Sequence, residues 1–178
     1  MAHLQSSKNI NIYLTGFMGT GKSSVASCLN KDYGMELAEM DELIVQQTGH
    51  SIPQIFSTQG ETFFRQLETQ LLRTLASRQN LIVSCGGGTV LKKENIKLMK
   101  DSGYIILLTA SPETLYQRVG SDPNRPVLEG HRSPEGILQL LNQRLPFYEE
   151  AADLILSTDG KDIPSITREL LEKIKELQ

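Results

Sequence analysis

Short apolar runs alternate with longer amphipathic segments along this chain of 178 residues. The runs at 81–84 and 104–108 are almost continuously apolar, which is typical of strands buried on both faces of a parallel sheet. With three further runs they predict five strands, at 10–15, 36–38, 81–84, 104–108 and 154–156. Because these strands alternate with helical segments, we expect an α/β fold with a parallel sheet flanked by helices.

The amphipathic segments carry recognisable helix starts. Thr58 and Glu61 have the spacing of a capping box, which predicts that a helix begins there. Ser111-Pro112 and Ser133-Pro134 each place a capping residue before a proline at the first helical position. Apolar residues at helical spacing predict two stripes that face the core. The stripes are Phe64, Leu67, Leu71 and Leu75, and then Ile163, Ile166, Leu170, Ile174 and Leu177.

The composition narrows the class of protein without identifying it. With 39% hydrophobic and 22% charged residues, the chain fits a single globular domain at 1–178. A net charge of −3 predicts no broad basic surface for nucleic acid. The apolar runs are too short for a membrane span, and residues 1–8 lack the apolar core of a signal peptide. We expect a cytoplasmic monomer in which Cys28 and Cys85 remain reduced thiols.

The sequence at 16–23, Gly-Phe-Met-Gly-Thr-Gly-Lys-Ser, matches the phosphate-binding P-loop pattern. A predicted strand precedes it and a helical segment follows it, which is the context that the motif requires. Its glycines let successive N–H groups converge on an anion, at a helix N-terminus that attracts negative charge. In this pattern Lys22 reaches the β- and γ-phosphates and Ser23 binds Mg²⁺. The alternative is a glycine-rich turn that binds nothing.

Two carboxylates follow the second predicted strand, at the edge where a doubly wound sheet binds its ligands. Asp41 could orient a hydroxyl in line with the γ-phosphate and accept its proton. It could also be the N-cap of a helix at 42–48, and the two roles are compatible. Glu39 is a candidate outer ligand of Mg²⁺, or else a solvated carboxylate at the strand end.

Two arginines are candidates for binding a substrate carboxylate. Arg65 and Glu68 lie three residues apart on one predicted helix, so that they can form an ion pair. That pair is either a surface contact of little energetic value or an arrangement in which Glu68 orients Arg65 towards a substrate. Arg144 is either a second carboxylate anchor or a charge on a helix surface.

Two glycine-containing segments complete the set of candidates. Gly86-Gly87-Gly88 either permits close approach of the backbone to a ligand or forms a flexible turn. The neighbouring Cys85 is interpreted as a small buried residue at a strand end rather than as a nucleophile. The segment at 120–132, which contains Arg125 and Arg132, is interpreted either as a solvated loop or as a mobile lid that closes over phosphates.

In this order and spacing, these residues resemble the shikimate kinase family, which are P-loop kinases of the nucleoside monophosphate kinase type. The resemblance covers nearly the whole chain, so it is far more specific than the P-loop alone. Beyond the P-loop it rests on Asp41 with Ile44 and Gly49, 51–52, 55–56, 60–65 with Glu68, 86–88, 125–128 and 144–148.

The resemblance implies a three-layer fold, a five-stranded parallel sheet in the order 2-3-1-4-5, and transfer of phosphate from ATP, with Mg²⁺, to the 3-hydroxyl of shikimate. It places the acceptor region at about 39–68 and the lid at about 120–132. For ATP it implies Gly19, Thr20, Gly21, Lys22, Ser23, Ser24, Arg118 and Arg125, with Ser23 and Glu39 at the metal and a second adenine wall near 162–164. For shikimate it implies Asp41, Arg65, Glu68, Gly86, Gly87, Gly88 and Arg144, with Lys22, Asp41 and Arg125 as the catalytic residues.

One departure from the family pattern concerns the metal side of the site. The family usually has aspartate at the position of Glu39, so that this carboxylate is one methylene longer here.

Two other functions stay open at this point. One is a related small-molecule kinase of the gluconate type, and the other is an ATP-binding regulatory module without transfer activity.

Overall fold

A computed structural model describes residues 10–119, 131 and 133–177 of the protein. These residues form five strands: β1 (Asn11–Thr15), β2 (Glu36–Glu39), β3 (Leu81–Ser84), β4 (Gly103–Thr109) and β5 (Leu154–Ser157). The described helices are α1 (Lys22–Tyr33), α2 (Met40–Thr48), α3 (Ile52–Ala76), α4 (Lys93–Ser102), α5 (Pro112–Val119), α6 (Pro134–Ala151) and α7 (Ile163–Glu176), with a 3₁₀ turn at Thr89–Leu91.

The five strands form one parallel sheet in the order β2-β3-β1-β4-β5. In the centre of the sheet, Tyr13 of β1 is paired with Val83 of β3 and with Ile105 of β4. The predicted strands and strand order are thereby confirmed. All carboxyl ends of the strands meet at one edge, where a doubly wound sheet binds ligands.

Apolar residues on both faces of the sheet explain the three layers. Neighbouring residues of a strand point to opposite faces, and Tyr13 and Leu14 accordingly belong to two different core clusters. One cluster includes Leu72 of α3, and the other includes Val25 of α1 and Leu170 of α7. Because strand residues are buried between two helical layers, both faces need apolar side chains, which accounts for the continuous apolar runs.

The start of α3 differs from the sequence prediction. The capping box is formed by Ser51 and Gln54: Gln54 N–H donates to Ser51 Oγ, and Ser51 N–H donates to Gln54 Oε1. The box predicted at 58–61 is wrong, because Thr58 donates its hydroxyl to Gln54 O within the helix. Gly60 has non-helical dihedrals (φ 82°, ψ 169°), so the predicted start marks a bend inside α3.

The remaining helix starts are as predicted, with one exception. Ser111 and Ser133 each accept a backbone N–H bond from the first turn of the following helix. Asp41 is not an N-cap, because α2 begins at Met40, two residues earlier than predicted, and its N-cap is Glu39. Asp41 therefore lies in the first turn of α2, where a carboxylate is favoured by the helix dipole.

The predicted apolar stripes pack into the core, except at the C-terminal end. In the last stripe the side chains as far as Ile174 are buried or half-buried, whereas Leu177 is 40% exposed because it lies beyond α7.

The predicted lid at 120–132, including Arg125 and Arg132, lies outside the described residues except for His131. Within the described part of the chain, no helix is long and apolar enough to cross a membrane.

Candidate active site

A cavity of about 940 Å³ lies at the carboxyl edge of the sheet. Loops after β1, β2, β3 and β5 reach it, together with side chains from α3, α5 and α6. It is lined by every predicted site residue that the structure describes: Gly19, Thr20, Gly21, Lys22, Ser23, Ser24, Glu39, Asp41, Arg65, Glu68, Gly86, Gly87, Gly88, Arg118 and Arg144. The structure therefore brings the predicted phosphate and acceptor residues together in one space.

The P-loop connects β1 to the N-terminus of α1. Its turn requires left-handed backbone, which glycine adopts readily, at Gly19 (φ 84°) and Gly21 (φ 93°). Lys22 Nζ donates to Gly16 O at 2.9 Å and to Phe17 O at 3.1 Å, so that the ammonium lies along the loop. Since the N-cap Gly21 has no side chain to occupy the first N–H groups, the start of α1 is open to an anion.

Three oxygen-bearing side chains meet beside the P-loop. Ser23 Oγ donates to Glu39 Oε2 at 3.2 Å and lies 3.4 Å from Ser84 Oγ, at the end of β3. Burial raises the pKa of Glu39, and hydrogen bonds from Ser84 and Ser23 offset only part of that effect. Hydroxyl and carboxylate oxygens are the donors that Mg²⁺ prefers, so this donor set fits a magnesium ion that is shared with a nucleotide phosphate.

Arg65 is held on two sides by carboxylates. Its Nη1 donates to Glu68 Oε2 at 2.6 Å, while Nε and Nη2 donate to Glu61 Oε1 at 3.1 and 2.8 Å. The guanidinium also lies over the Phe64 ring, 5.3 Å from its centroid. A guanidinium has five N–H donors. Among the described residues, these contacts leave one N–H on Nη1 and one on Nη2, and a carboxylate can bind the two Nη atoms of an arginine as a fork.

Glu68 is fully buried, and its ion pair with Arg65 confirms the predicted pair. Burial raises the pKa of Glu68, and the adjacent Arg65 charge offsets only part of that rise. A buried carboxylate is stable only with partners for its oxygens, which distinguishes this pair from a surface ion pair. Gly88 lies so close that a Cβ there would collide with the Arg65 guanidinium, so a larger residue would displace the guanidinium from this place.

Arg144 enters the cavity from α6. Its guanidinium lies over the ring of Phe17, 6.0 Å from the centroid. On the next turn of α6, the buried Tyr148 donates its hydroxyl to Gly87 O. Burial raises the pKa of Tyr148, which keeps the hydroxyl protonated as a donor. Arg144 and Tyr148 therefore connect α6 to the P-loop and to the glycine turn after β3.

Asp41 is exposed and lines the cavity from the first turn of α2. A Cβ placed on Gly86 would lie 3.3 Å from Asp41 Oδ1, so the carboxylate is next to the glycine turn. The same Cβ would lie 2.5 Å from Glu68 Oε1. Asp41 and the buried Glu68 carboxylate thus approach the glycine turn at the same residue, Gly86.

Arg118 bridges two loops at the far end of the cavity. Its Nη1 donates to Gly19 O at 2.9 Å and to Thr158 Oγ1 at 3.1 Å, which connects the P-loop to the loop after β5. Of the predicted wall at 162–164, Ile163 lines the cavity, while Asp162 caps α7 by accepting from Ser165 N–H. This end has a flat guanidinium and apolar surface, which suit a planar base.

Cys85 is buried at the end of β3, as the sequence predicts. Burial raises the pKa of its thiol, so that the thiolate is strongly disfavoured. A thiol is nucleophilic as the thiolate. The geometry therefore agrees with a packing role.

Some residues of the site were not assigned from the sequence. Ser84 ends a buried strand, and its position at the carboxyl end of β3 was a usable signal. Tyr148 was visible as a partner of Arg144 one helical turn later. For Glu61 the i,i+4 spacing to Arg65 was available, but Thr158 carries no local signal, because its contact with Arg118 spans 40 residues.

Comparisons with known proteins place this arrangement in a family. A family model described as shikimate kinase matches residues 18–175. The shikimate kinase of Geobacter sulfurreducens is 38% identical over 168 residues, which cover 94% of this chain and 92% of that protein. That of Moorella thermoacetica is 37% identical over 165 residues, covering 93% of this chain and 94% of that protein.

A solved structure agrees with these sequence relatives. The shikimate kinase from Acinetobacter baumannii, in complex with shikimate, superposes with a TM-score of 0.89 and 34% identity. The match covers 95% of this chain and 94% of that one. The P-loop, the two arginines Arg65 and Arg144 in one cavity, and the sheet order thus occur in a chain that belongs to the shikimate kinase family.

Proposed function

We propose that the protein transfers the γ-phosphoryl group of ATP to the 3-hydroxyl of shikimate, giving shikimate 3-phosphate and ADP. The observation that carries this proposal is the common cavity of Lys22, Asp41, Arg65 and Arg144. A P-loop alone predicts a nucleoside triphosphate. Two arginines and an exposed carboxylate beside it add the groups needed to bind an acceptor with one carboxylate and several hydroxyls.

The acceptor would be oriented from two sides of the cavity. Arg65 offers a fork of two N–H donors, and Arg144 approaches from α6, so that both can bind the shikimate carboxylate. Asp41 then faces the hydroxyl groups, where it aligns the attacking oxygen with the γ-phosphate and is placed to accept its proton. Main-chain groups of Gly86, Gly87 and Gly88 would approach the ring, since these residues have no side chain in the way.

Phosphate binding would rest on the P-loop. Its N–H groups and the N-terminus of α1 hold the β- and γ-phosphates, and Lys22 neutralises charge on the transferred group. Ser23 and Glu39 would hold Mg²⁺, Ser23 directly and Glu39 on its outer side. When bound, the ion supplies positive charge to the phosphate oxygens. We further propose that Arg118 contacts adenine and that Arg125, in the lid at about 120–132, reaches the phosphates.

A coupled ADP-release assay tests this function. With ATP and Mg²⁺, we expect ADP release that depends on shikimate, and none above background with gluconate or without an acceptor. Release with gluconate alone would establish the gluconate-type kinase instead. Release with no acceptor dependence, combined with thermal stabilisation by ATP but not by shikimate, would establish a regulatory ATP-binding module.

The length of Glu39 gives a separate prediction. Glu39→Asp is expected to keep kcat equal or raise it. The shorter carboxylate would no longer accept the hydrogen bond from the Ser23 hydroxyl, but it would still face the proposed Mg²⁺ site. The measurement is kcat as a function of Mg²⁺ concentration. Glu36→Asp, on the same strand but paired with Arg78 on the surface, is the matched control. A collapse of kcat in Glu39→Asp alone would show that the site is adapted to glutamate.

The proposal extends to the organisation of the protein. We infer that residues 1–178 act as one domain, with an acceptor region at about 39–68, and that the protein is a cytoplasmic monomer without a nucleic acid or membrane partner. Sedimentation of the purified chain tests the monomer. A mass corresponding to two chains would contradict it.

A further inference from the structure

We propose that Thr89 is a positioning residue for acceptor binding, which acts through Glu68 on Arg65. This inference rests on the proposed function and names a residue that the P-loop and arginine pattern does not include. Thr89 lies in the 3₁₀ turn after the glycines, and its side chain is fully buried. Its hydroxyl does not reach the substrate; it reaches the carboxylate that holds the substrate-binding arginine.

The hydrogen bonds form a chain from the interior to the cavity. Thr89 Oγ1 donates to Glu68 Oε1 at 3.0 Å, and Glu68 Oε2 accepts from Arg65 Nη1 at 2.6 Å. Each oxygen of Glu68 therefore has its own donor, one neutral and one charged. Without the hydroxyl, Oε1 would be an unsatisfied acceptor in a fully buried side chain, which is costly.

The position of the hydroxyl is itself fixed by the main chain of the turn. Thr89 N–H donates to Gly86 O at 3.1 Å, and Thr89 O accepts from Asn95 Nδ2 at 2.9 Å. Asn95 is buried at the start of α4, so its hydrogen bond to Thr89 O is shielded from water. Because both main-chain groups are bonded, the backbone that carries the Thr89 side chain is held next to Glu68.

Close packing transmits this constraint to Arg65. A Cβ on Gly86 would lie 2.5 Å from Glu68 Oε1 and 3.4 Å from Thr89 Oγ1, so the three groups are in contact. Glu68 can turn about its last bonds, and a turn would move Oε2 away from Arg65. The Thr89 bond opposes that turn, which keeps the Arg65 guanidinium in its place at the cavity.

The bond also explains how the charge arrangement favours an anion. Arg65 has two carboxylate neighbours, Glu61 and Glu68. A hydroxyl that donates to Glu68 takes up part of the negative charge that would otherwise oppose a bound carboxylate. Thr89 therefore favours the acceptor in two ways, by orienting Arg65 and by reducing repulsion from Glu68.

The test compares Thr89→Val, which keeps the shape of the side chain and removes the hydroxyl, with Thr89→Ser, which keeps the hydroxyl. We expect Thr89→Val to raise the KM for shikimate about tenfold, because binding of the acceptor then has to order Arg65 as well, with the KM for ATP unchanged. Thr89→Ser should remain close to the wild type. Thr167→Val removes a fully buried hydroxyl from α7 and is the matched control for stability.

A double-mutant cycle separates positioning from a structural role. If Thr89 acts through Glu68 and Arg65, Thr89→Val should have no further effect on the KM for shikimate in an Arg65→Ala background. An equal effect in both backgrounds would overturn the inference, as would an unchanged KM in Thr89→Val. The wild type distinguishes the two proposals: if it does not phosphorylate shikimate, the proposed function fails, whereas a shikimate-dependent wild type with a silent Thr89→Val refutes this inference alone.

Discussion

Replacing Lys22 by alanine is expected to reduce kcat for shikimate phosphorylation by roughly a hundred- to a thousandfold, which is the scale for removing one charge-stabilising group from a transition state. Its Nζ lies within 3.1 Å of the carbonyl oxygens of Gly16 and Phe17, beside the open N-terminus of α1. Negative charge on the transferred phosphoryl group would lose its nearest ammonium. The measurement is coupled ADP release at saturating ATP and shikimate.

The control for this variant is Lys31→Ala, which removes an exposed lysine from the last turn of the same helix. It should leave kcat unchanged. The thermal unfolding of Lys22→Ala is measured alongside kcat, so that a loss of stability is distinguished from a loss of phosphate binding. Near-normal kcat in Lys22→Ala would refute the phosphate role of this lysine.

Replacing Arg65 by alanine is expected to raise the KM for shikimate about a hundredfold, or about 3 kcal/mol, as for loss of a two-pronged charged contact. The fork formed by its two Nη atoms is the group that we assign to the shikimate carboxylate. The KM for ATP should change little, because Arg65 lies on α3, on the acceptor side of the cavity. Initial rates at varied shikimate and at varied ATP separate the two constants.

The buried Glu68 requires a second variant. Arg65→Ala leaves its carboxylate without the charged partner, and such a group destabilises the fold. Arg65→Ala with Glu68→Gln removes that charge, and we expect it to show the same raised KM with better thermal stability. Arg73→Ala, an exposed arginine on the same helix, is the matched control. An unchanged KM for shikimate in both Arg65 variants would move the carboxylate site elsewhere in the cavity.

The sheet could be predicted because its signals are local. Strands β3 and β4 are short apolar runs, and β3 was predicted residue for residue at Leu81–Ser84. Helix boundaries were harder to predict where two local signals compete. Thr58 and Glu61 have the residue types of a capping box. The box is instead formed seven residues earlier, by Ser51 and Gln54, and the helix bends at Gly60, which lies between Thr58 and Glu61.

The residues of the site also divide into those that the sequence predicts locally and those that it does not. The P-loop, Asp41, Arg65 and Arg144 were predicted as candidates, since their residue types and spacing carry chemistry by themselves. Whether Arg65 and Glu68 form a weak surface pair or a buried one was not readable from their i,i+3 spacing. The complete burial of Glu68 decides it, and that burial depends on the glycine turn, which is distant in sequence.

The sequence by itself determined the strand order expected for this chain, the phosphate-binding loop and the family, because these depend on contiguous patterns and on motifs in a fixed order. The tertiary structure decided which side chains share the cavity and which partners hold them. The contacts of Thr89 with Glu68 and of Arg118 with Thr158 span 21 and 40 residues. Such contacts depend on where β3, β5 and their loops lie in space, and a hydroxyl in a buried turn has no local pattern that distinguishes a positioning role from simple packing.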